Sequence, residues 1–183
     1  MRYGSGDDGY TARLGSGRVP KWDARVEAGG ELDEATSALG LARALARDQM
    51  VQRQIRELQR DLCVVMAELA SASSGGAAEA ARIEPGHVRR LDESVSDLLK
   101  STSLPVGFIL PGKTASSAAI DVARAILRRA ERRVAKLHDE GLVGNPELLR
   151  YLNRASTLAY LLARREEQAQ GGGYDLADEQ EDL

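Results

Sequence analysis

Aromatic side chains are scarce in this chain: one Phe, one Trp and five Tyr make up 4% of its 183 residues. β-Sandwiches and barrels build their cores largely from aromatic and β-branched residues, so the scarcity argues for helices packed through alanine and leucine. One cysteine, Cys63, excludes an intramolecular disulfide, and with only His87 and His138 beside it a structural Cys/His zinc site is excluded too. Nowhere does an apolar run approach the roughly 20 residues a membrane helix needs. The opening Met1-Arg2-Tyr3-Gly4-Ser5-Gly6-Asp7-Asp8 carries no apolar segment of signal-peptide length, so a soluble, cytoplasmic protein is expected. An excess of one charge is missing as well, because 25 Lys and Arg against 28 Asp and Glu leave a net charge of −3. No overall positive field exists to hold nucleic acid, and any polyanion must be held by a local cluster.

What the chain does have is enough apolar content for a core, 43% hydrophobic residues, in a length that suits one domain. Five segments repeat apolar residues at steps of three or four, as one face of a helix requires. Leu32, Ala35, Leu39, Ala42 and Ala46 form the first stripe, and Ile55, Leu58, Leu62, Val65 and Leu69 the second. Val88, Leu91, Val95 and Leu98 follow, then Ile120, Ala123, Leu127, Ala130, Val134 and Leu137, then Leu148, Leu152, Ala155, Ala159 and Leu162. Loop-like stretches at Ser71 to Gly76, Leu104 to Gly107 and Gly141 to Pro146 separate them. No segment alternates with period two for long enough to read as a strand. The pattern predicts an all-α, antiparallel five-helix bundle over residues 31–169. Residues 1–30, rich in glycine and without a helical stripe, read as a ligand-binding loop or a tail; residues 170–183 read as a flexible acidic tail.

Chemistry concentrates in a few places. Arg124, Arg128 and Arg132 recur every four residues, and at about 100° per residue Arg124 and Arg128 fall at the edge of the buried face. Arg129 and Arg133 point almost opposite to that face, towards solvent or another subunit. Such a stack is mildly costly unless carboxylates or phosphates lie between the charges; a solvated basic face pairing with Glu131 and Asp139 is the plainer alternative. Near the N-terminus, Ser5-Gly6-Asp7-Asp8-Gly9-Tyr10-Thr11 offers hydroxyls and backbone amides, and Arg18-Val19-Pro20-Lys21 adds cations, a composition suited to a triphosphate. It is not the GxxxxGK[ST] loop of parallel-sheet nucleotide-binding folds. The only phenylalanine, Phe108, sits between Pro105 and Pro111, where its plain reading is a core plug. Asn153 lies beside the last apolar stripe, a position suited to a capping or interhelical hydrogen bond.

Taken in order, Gly6-Asp7-Asp8-Gly9, Arg18-Val19-Pro20-Lys21, Arg25-Val26-Glu27, Leu32-Asp33-Glu34 with Ser37-Ala38-Leu39-Gly40, Phe108-Ile109-Leu110-Pro111-Gly112, Arg128-Arg129-Ala130-Glu131-Arg132 and Tyr151-Leu152-Asn153-Arg154 resemble the PduO-type ATP:cob(I)alamin adenosyltransferases. The resemblance runs from about residue 3 to residue 165. It implies a trimer of five-helix bundles with an active site at each subunit interface, taking ATP with Mg²⁺ and cobalamin. A reductase and an adenosylcobalamin-dependent acceptor enzyme are the further partners it implies; nucleic acid and membrane are not.

Carried over by position, the resemblance gives Ser5, Gly6, Thr11 and Lys21 the ATP phosphates, together with Arg128 and Arg132, while Glu131 and Asn153 belong to the same nucleotide site. Phe108 resembles the phenylalanine beneath the corrin ring, and Asp33 and Arg124 the acid and base that pair across the interface. No side chain is implied as a metal ligand. The chemistry implied needs no serine, cysteine or histidine nucleophile, because Co(I) itself attacks the ribose C5′ and expels triphosphate. The chain departs from the family pattern at Tyr3-Gly4-Ser5, at Gly29-Gly30-Glu31, at Asp121 and at Ala155-Ser156-Thr157. Glu31 and Asp121 add negative charge that either disfavours a triphosphate or holds Mg²⁺ or the arginines. A non-catalytic relative that carries cobalamin or nucleotide, and a purely structural helical bundle, are the rival expectations.

Overall fold

Each of the apolar stripes becomes the buried face of one helix. The computed structural model describes residues 4–12, 17–71 and 82–177. It contains β1 (Tyr10–Ala12), β2 (Arg18–Pro20), α1 (Ala24–Leu45), α2 (Gln49–Ser71), α3 (Pro85–Ser101), α4 (Ala115–Asp139) and α5 (Pro146–Ala169). Apart from Val95, which is partly buried, every stripe residue lies in one continuous core, joined there by Tyr151 and by the loop residues Ile83 and Val143. α4 is central, packed on α1 to one side and α5 to the other; α2 lies against α1 and α3 against α5.

The helix starts follow local chemistry. Asp23 caps α1 by accepting from the Arg25 amide at 2.9 Å. Thr114 caps α4 by accepting from the Ser117 amide at 3.0 Å, and the Ser117 hydroxyl accepts from the Thr114 amide in return. Asn145 precedes Pro146 and caps α5, with its side chain accepting from the Glu147 amide at 3.1 Å. Each supplies an acceptor for amides that the first turn leaves unpaired.

Two features differ from the sequence expectation. α1 begins at Ala24, not after residue 30, and runs through Gly29 and Gly30. Glycine costs a helix about 1 kcal/mol relative to alanine, but the Asp23 cap and the complete burial of Ala28 and Leu32 outweigh that cost. A Cβ on Gly29 would meet nothing within 4 Å. Gly29→Ala is therefore expected to stabilise the fold by about 0.5–1 kcal/mol, read as a higher Tm at unchanged helicity.

The second difference is a small antiparallel sheet where no strand was expected, pairing Thr11 with Val19. Period-two patterning cannot reveal strands of three residues. The loop expected at 72–76, the end of the acidic tail at 178–183, and residues 1–3 and 13–16 of the N-terminal segment lie outside the described residues. No helix among the described residues is long and apolar enough to cross a membrane.

Candidate active site

The N-terminal segment is a built hairpin. Gly4 and Gly9 adopt φ of +80° and +82°, left-handed conformations that favour glycine. Lys21 closes the hairpin by donating its amide to the Gly9 carbonyl at 2.9 Å. Its side chain then folds back across Gly6, where a Cβ would stand 3.1 Å from the Lys21 Cε and Nζ. Arg18 donates to both Asp8 carboxylate oxygens, at 2.7 and 2.6 Å, and to the Ser5 carbonyl at 2.6 Å. Hydrogen bonding to that guanidinium holds the Asp8 carboxyl below its ordinary range. Ser5, Gly6, Thr11 and Lys21 are thus brought together, with the ammonium, a hydroxyl-bearing strand and the turn amides on one small hairpin.

A second group lies on α4 and α5. The Arg128 guanidinium has no hydrogen bond or ion pair among the described residues, and Arg132 donates only to the Arg128 carbonyl, at 3.1 Å. Glu131 accepts from the Asn153 amide at 3.0 Å, the interhelical bond its position suggested. Arg124 is half-buried and donates Nε to Asp121 Oδ1 at 3.0 Å. Asp33, exposed on α1, is unpaired among the described residues.

Arg129 and Arg133, placed by helix angle almost opposite the buried face, are half exposed, and both also find carboxylate partners on α1. Arg129 pairs with Glu31 at 3.6 Å and with Glu34; Arg133 pairs with Glu27 at 3.4 Å and Glu31 at 3.2 Å. α1 packs beside α4, and long arginines at the border of its exposed face reach across to the α1 carboxylates. The departures at Glu31 and Asp121 have the same outcome: both hold arginines. Among the described residues no cluster of three or more His, Cys, Asp or Glu could hold a metal ion.

Phe108 is no core plug, since 85% of its surface is exposed. Its loop is held by the C-terminal segment, which was expected to be a flexible tail. The Leu110 amide donates to the Asp175 carbonyl, and the Ala177 amide to the Phe108 carbonyl, both at 2.8 Å. Lys113 pairs with Asp175 at 2.6 Å, and the Tyr174 hydroxyl donates to the Ser103 carbonyl. Residues 171–177 therefore form a strap that fixes the loop's backbone and leaves the ring outside.

The hairpin and Phe108 stand towards opposite ends of α4 within one chain. The ion pairs running from Glu27–Arg133 to Glu34–Arg129 make α1 and α4 antiparallel. Arg25 Nη2 donates to the Leu142 carbonyl at 3.2 Å, so the hairpin stands where α1 begins and α4 ends. Phe108 precedes the other end of α4, a helix of 25 residues and so about 37 Å long at 1.5 Å per residue.

Residues 2–166 match the family model described as cobalamin adenosyltransferase. A corrinoid adenosyltransferase from Citrobacter freundii is 35% identical over 163 residues, which are 89% of this chain and 92% of that protein. The corrinoid adenosyltransferase PduO of the same organism is 36% identical over 163 residues, again 89% of this chain, and the match spans only 48% of that longer protein. Among solved structures, a variant of the PduO-type ATP:corrinoid adenosyltransferase from Lactobacillus reuteri, complexed with cobalamin and ATP, superposes with a TM-score of 0.87 at 28% identity, covering 97% of this chain and 99% of that one. With the family model spanning nearly the whole bundle, this chain belongs to the cobalamin adenosyltransferase family.

Proposed function

We propose that this chain transfers the adenosyl group of ATP to the cobalt of reduced cobalamin, working as a homotrimer with a site at each subunit interface. The observation that carries the reading is Phe108, a large apolar ring held out in solvent by a hydrogen-bonded loop at the head of the arginine helix. An exposed ring on a fixed backbone suits the flat face of a corrin: it excludes water and an axial ligand from the cobalt, which makes reduction to Co(I) easier. Co(I) then attacks the ribose C5′. The Co–C bond forms as the C5′–O bond breaks, and the triphosphate leaves with that bond's electron pair.

Negative charge grows on the leaving triphosphate, and cations not neutralised by a carboxylate are what stabilise it. Arg128 and Arg132 meet that need from α4, and Lys21 with the Ser5 and Thr11 hydroxyls and the Gly6 backbone meets it from the hairpin, so the segment before α1 acts as the nucleotide-binding segment. Mg²⁺ enters with the nucleotide, as MgATP. Glu131 and Asn153, bonded to each other, orient toward the same nucleotide. Asp33 of one copy pairs with Arg124 of the next beside the corrin. A reductase supplying the electron and an enzyme consuming adenosylcobalamin complete the partners.

The placement of hairpin and Phe108 towards opposite ends of α4 supports the shared site, because the cobalt and the ribose C5′ must come into bonding contact. Leu41, Leu45 and Val122 are exposed, and the antiparallel register of α1 and α4 sets them on one apolar face. Such a face is expected to be covered by another copy. Mixing a Lys21→Ala chain with a Phe108→Ala chain should therefore restore activity that neither has alone, because mixed trimers contain some sites with both residues intact. Failure to complement in trimers shown to exchange subunits would refute the shared site. Cobalamin binding by the wild type without turnover would favour the non-catalytic carrier.

Part of the hairpin is prebuilt, which lowers the ordering cost that a ligand must offset. MgATP is expected to slow amide exchange of Gly6, Gly9 and Thr11, with cobalamin alone protecting them less. Equal protection by either ligand would place the triphosphate elsewhere.

A further inference from the structure

Four charged side chains with no assigned role connect the arginine strip to the centre of the bundle. Asp121 on α4 is buried, with 5% of its side chain exposed, and its two carboxylate oxygens face different arginines. Oδ1 accepts from Arg124 Nε at 3.0 Å, and Oδ2 accepts from Arg164 Nη2 at 2.6 Å. Arg164 of α5 is 1% exposed. It donates to Glu167 Oε1 at 3.0 Å, its Nε pairs with Glu167 Oε2 at 2.9 Å, and its guanidinium stands 5.2 Å above the Tyr160 ring. Glu166 is wholly buried beside this row and accepts from the Arg47 and Asp48 amides at 2.6 and 3.2 Å, which ties the α1–α2 loop to the same end of α5.

A buried arginine between two carboxylates has almost no rotational freedom, because each of its hydrogen bonds is expensive to leave unmade. Asp121 inherits that rigidity through Oδ2 and passes it to Arg124 through Oδ1. Arg124 is consequently held by Nε alone, and its two terminal nitrogens stay available for a further partner. This differs from Arg129 and Arg133, whose guanidinium groups are engaged by carboxylates of α1.

We infer that Asp121, anchored by Arg164, is a positioning residue that aims the Arg124 guanidinium at the corrin side of the site. The inference rests on the reading of Arg124 given above. Asp121 touches neither substrate; it acts by fixing the direction of the arginine that does. An aspartate suits this task because one carboxylate can accept in-plane from two guanidinium groups at once.

The test is a double-mutant cycle on the full-length protein, with activity measured against both substrates and folding followed by helical circular dichroism. Asp121→Asn keeps the size of the side chain but turns an NH₂ towards one of the two guanidinium groups. It should lower kcat/KM for cobalamin by roughly ten- to a hundredfold, the scale set by misplacing a contacting group, with KM for ATP unchanged. In an Arg124→Ala background the same change should alter activity by less than about twofold, since a residue acting only through Arg124 has nothing left to aim. Equal losses in both backgrounds would show that Asp121 acts through the fold and would overturn the inference, as would full activity of Asp121→Asn. If Asp121→Asn does not fold, Arg164→Lys, which keeps the charge and loses the fork, is carried through the same cycle with the same two outcomes. If instead Arg124→Ala is itself fully active, the reading of Arg124 fails first and the positioning role with it.

Discussion

Arg128→Ala is expected to lower kcat/KM by about a hundredfold or more while leaving the helical spectrum and Tm near wild type. Removing one donor aimed at developing negative charge typically costs about 2.7–4 kcal/mol of transition-state stabilisation. The same substitution should cost the fold little, because the Arg128 side chain is exposed and holds no partner among the described residues, and exposed residues of that kind usually contribute within about 0.5 kcal/mol. Steady-state kinetics with thermal melting separates the two quantities. An equally active variant would return Arg128 to a solvated basic face, and a large fall in Tm would make it a structural residue.

Phe108→Ala is expected to abolish adenosylation of cobalamin reduced in the assay, again without a large change in melting. A buried phenylalanine would cost about 3–5 kcal/mol on truncation, but Phe108 is exposed and its loop is fixed by main-chain bonds that alanine retains. More activity should remain when chemically prepared Co(I) cobalamin is supplied, because the task proposed for the ring is to ease reduction by excluding water and an axial ligand. Loss of the same size with either cobalamin preparation would assign the ring to binding alone.

The helices were legible in the sequence because their signal is local and periodic: Ile120 to Leu137 repeats without interruption, and those residues are buried as the spacing requires. The family was legible through the order of motifs, not through any one of them, and Phe108 and the arginine strip are candidates that the same order supplies. Three features were not. The first two turns of α1 were hidden behind Gly29 and Gly30, although Asp23, an acceptor at the right place for a cap, was a signal that could have revealed them. The strap on the Phe108 loop is made largely by main-chain bonds such as Leu110 to Asp175, which leave no trace in side-chain pattern. The buried row Asp121, Arg164 and Glu167 reads in sequence as surface charge, since nothing local says that α4 and α5 bring the three together in the interior. The partners of Arg129 and Arg133 likewise depend on which helix packs beside α4.

The most direct test of adenosyl transfer is product stoichiometry under anaerobic conditions. The protein is mixed with ATP, Mg²⁺ and Co(I) cobalamin, and the corrinoid and phosphate products are separated and counted. Attack at C5′ with triphosphate as leaving group predicts one adenosylcobalamin for each triphosphate released, at a rate that Arg128→Ala lowers about a hundredfold. Cobalamin recovered without a cobalt–carbon bond, or phosphate released from ATP without adenosylcobalamin, would contradict it.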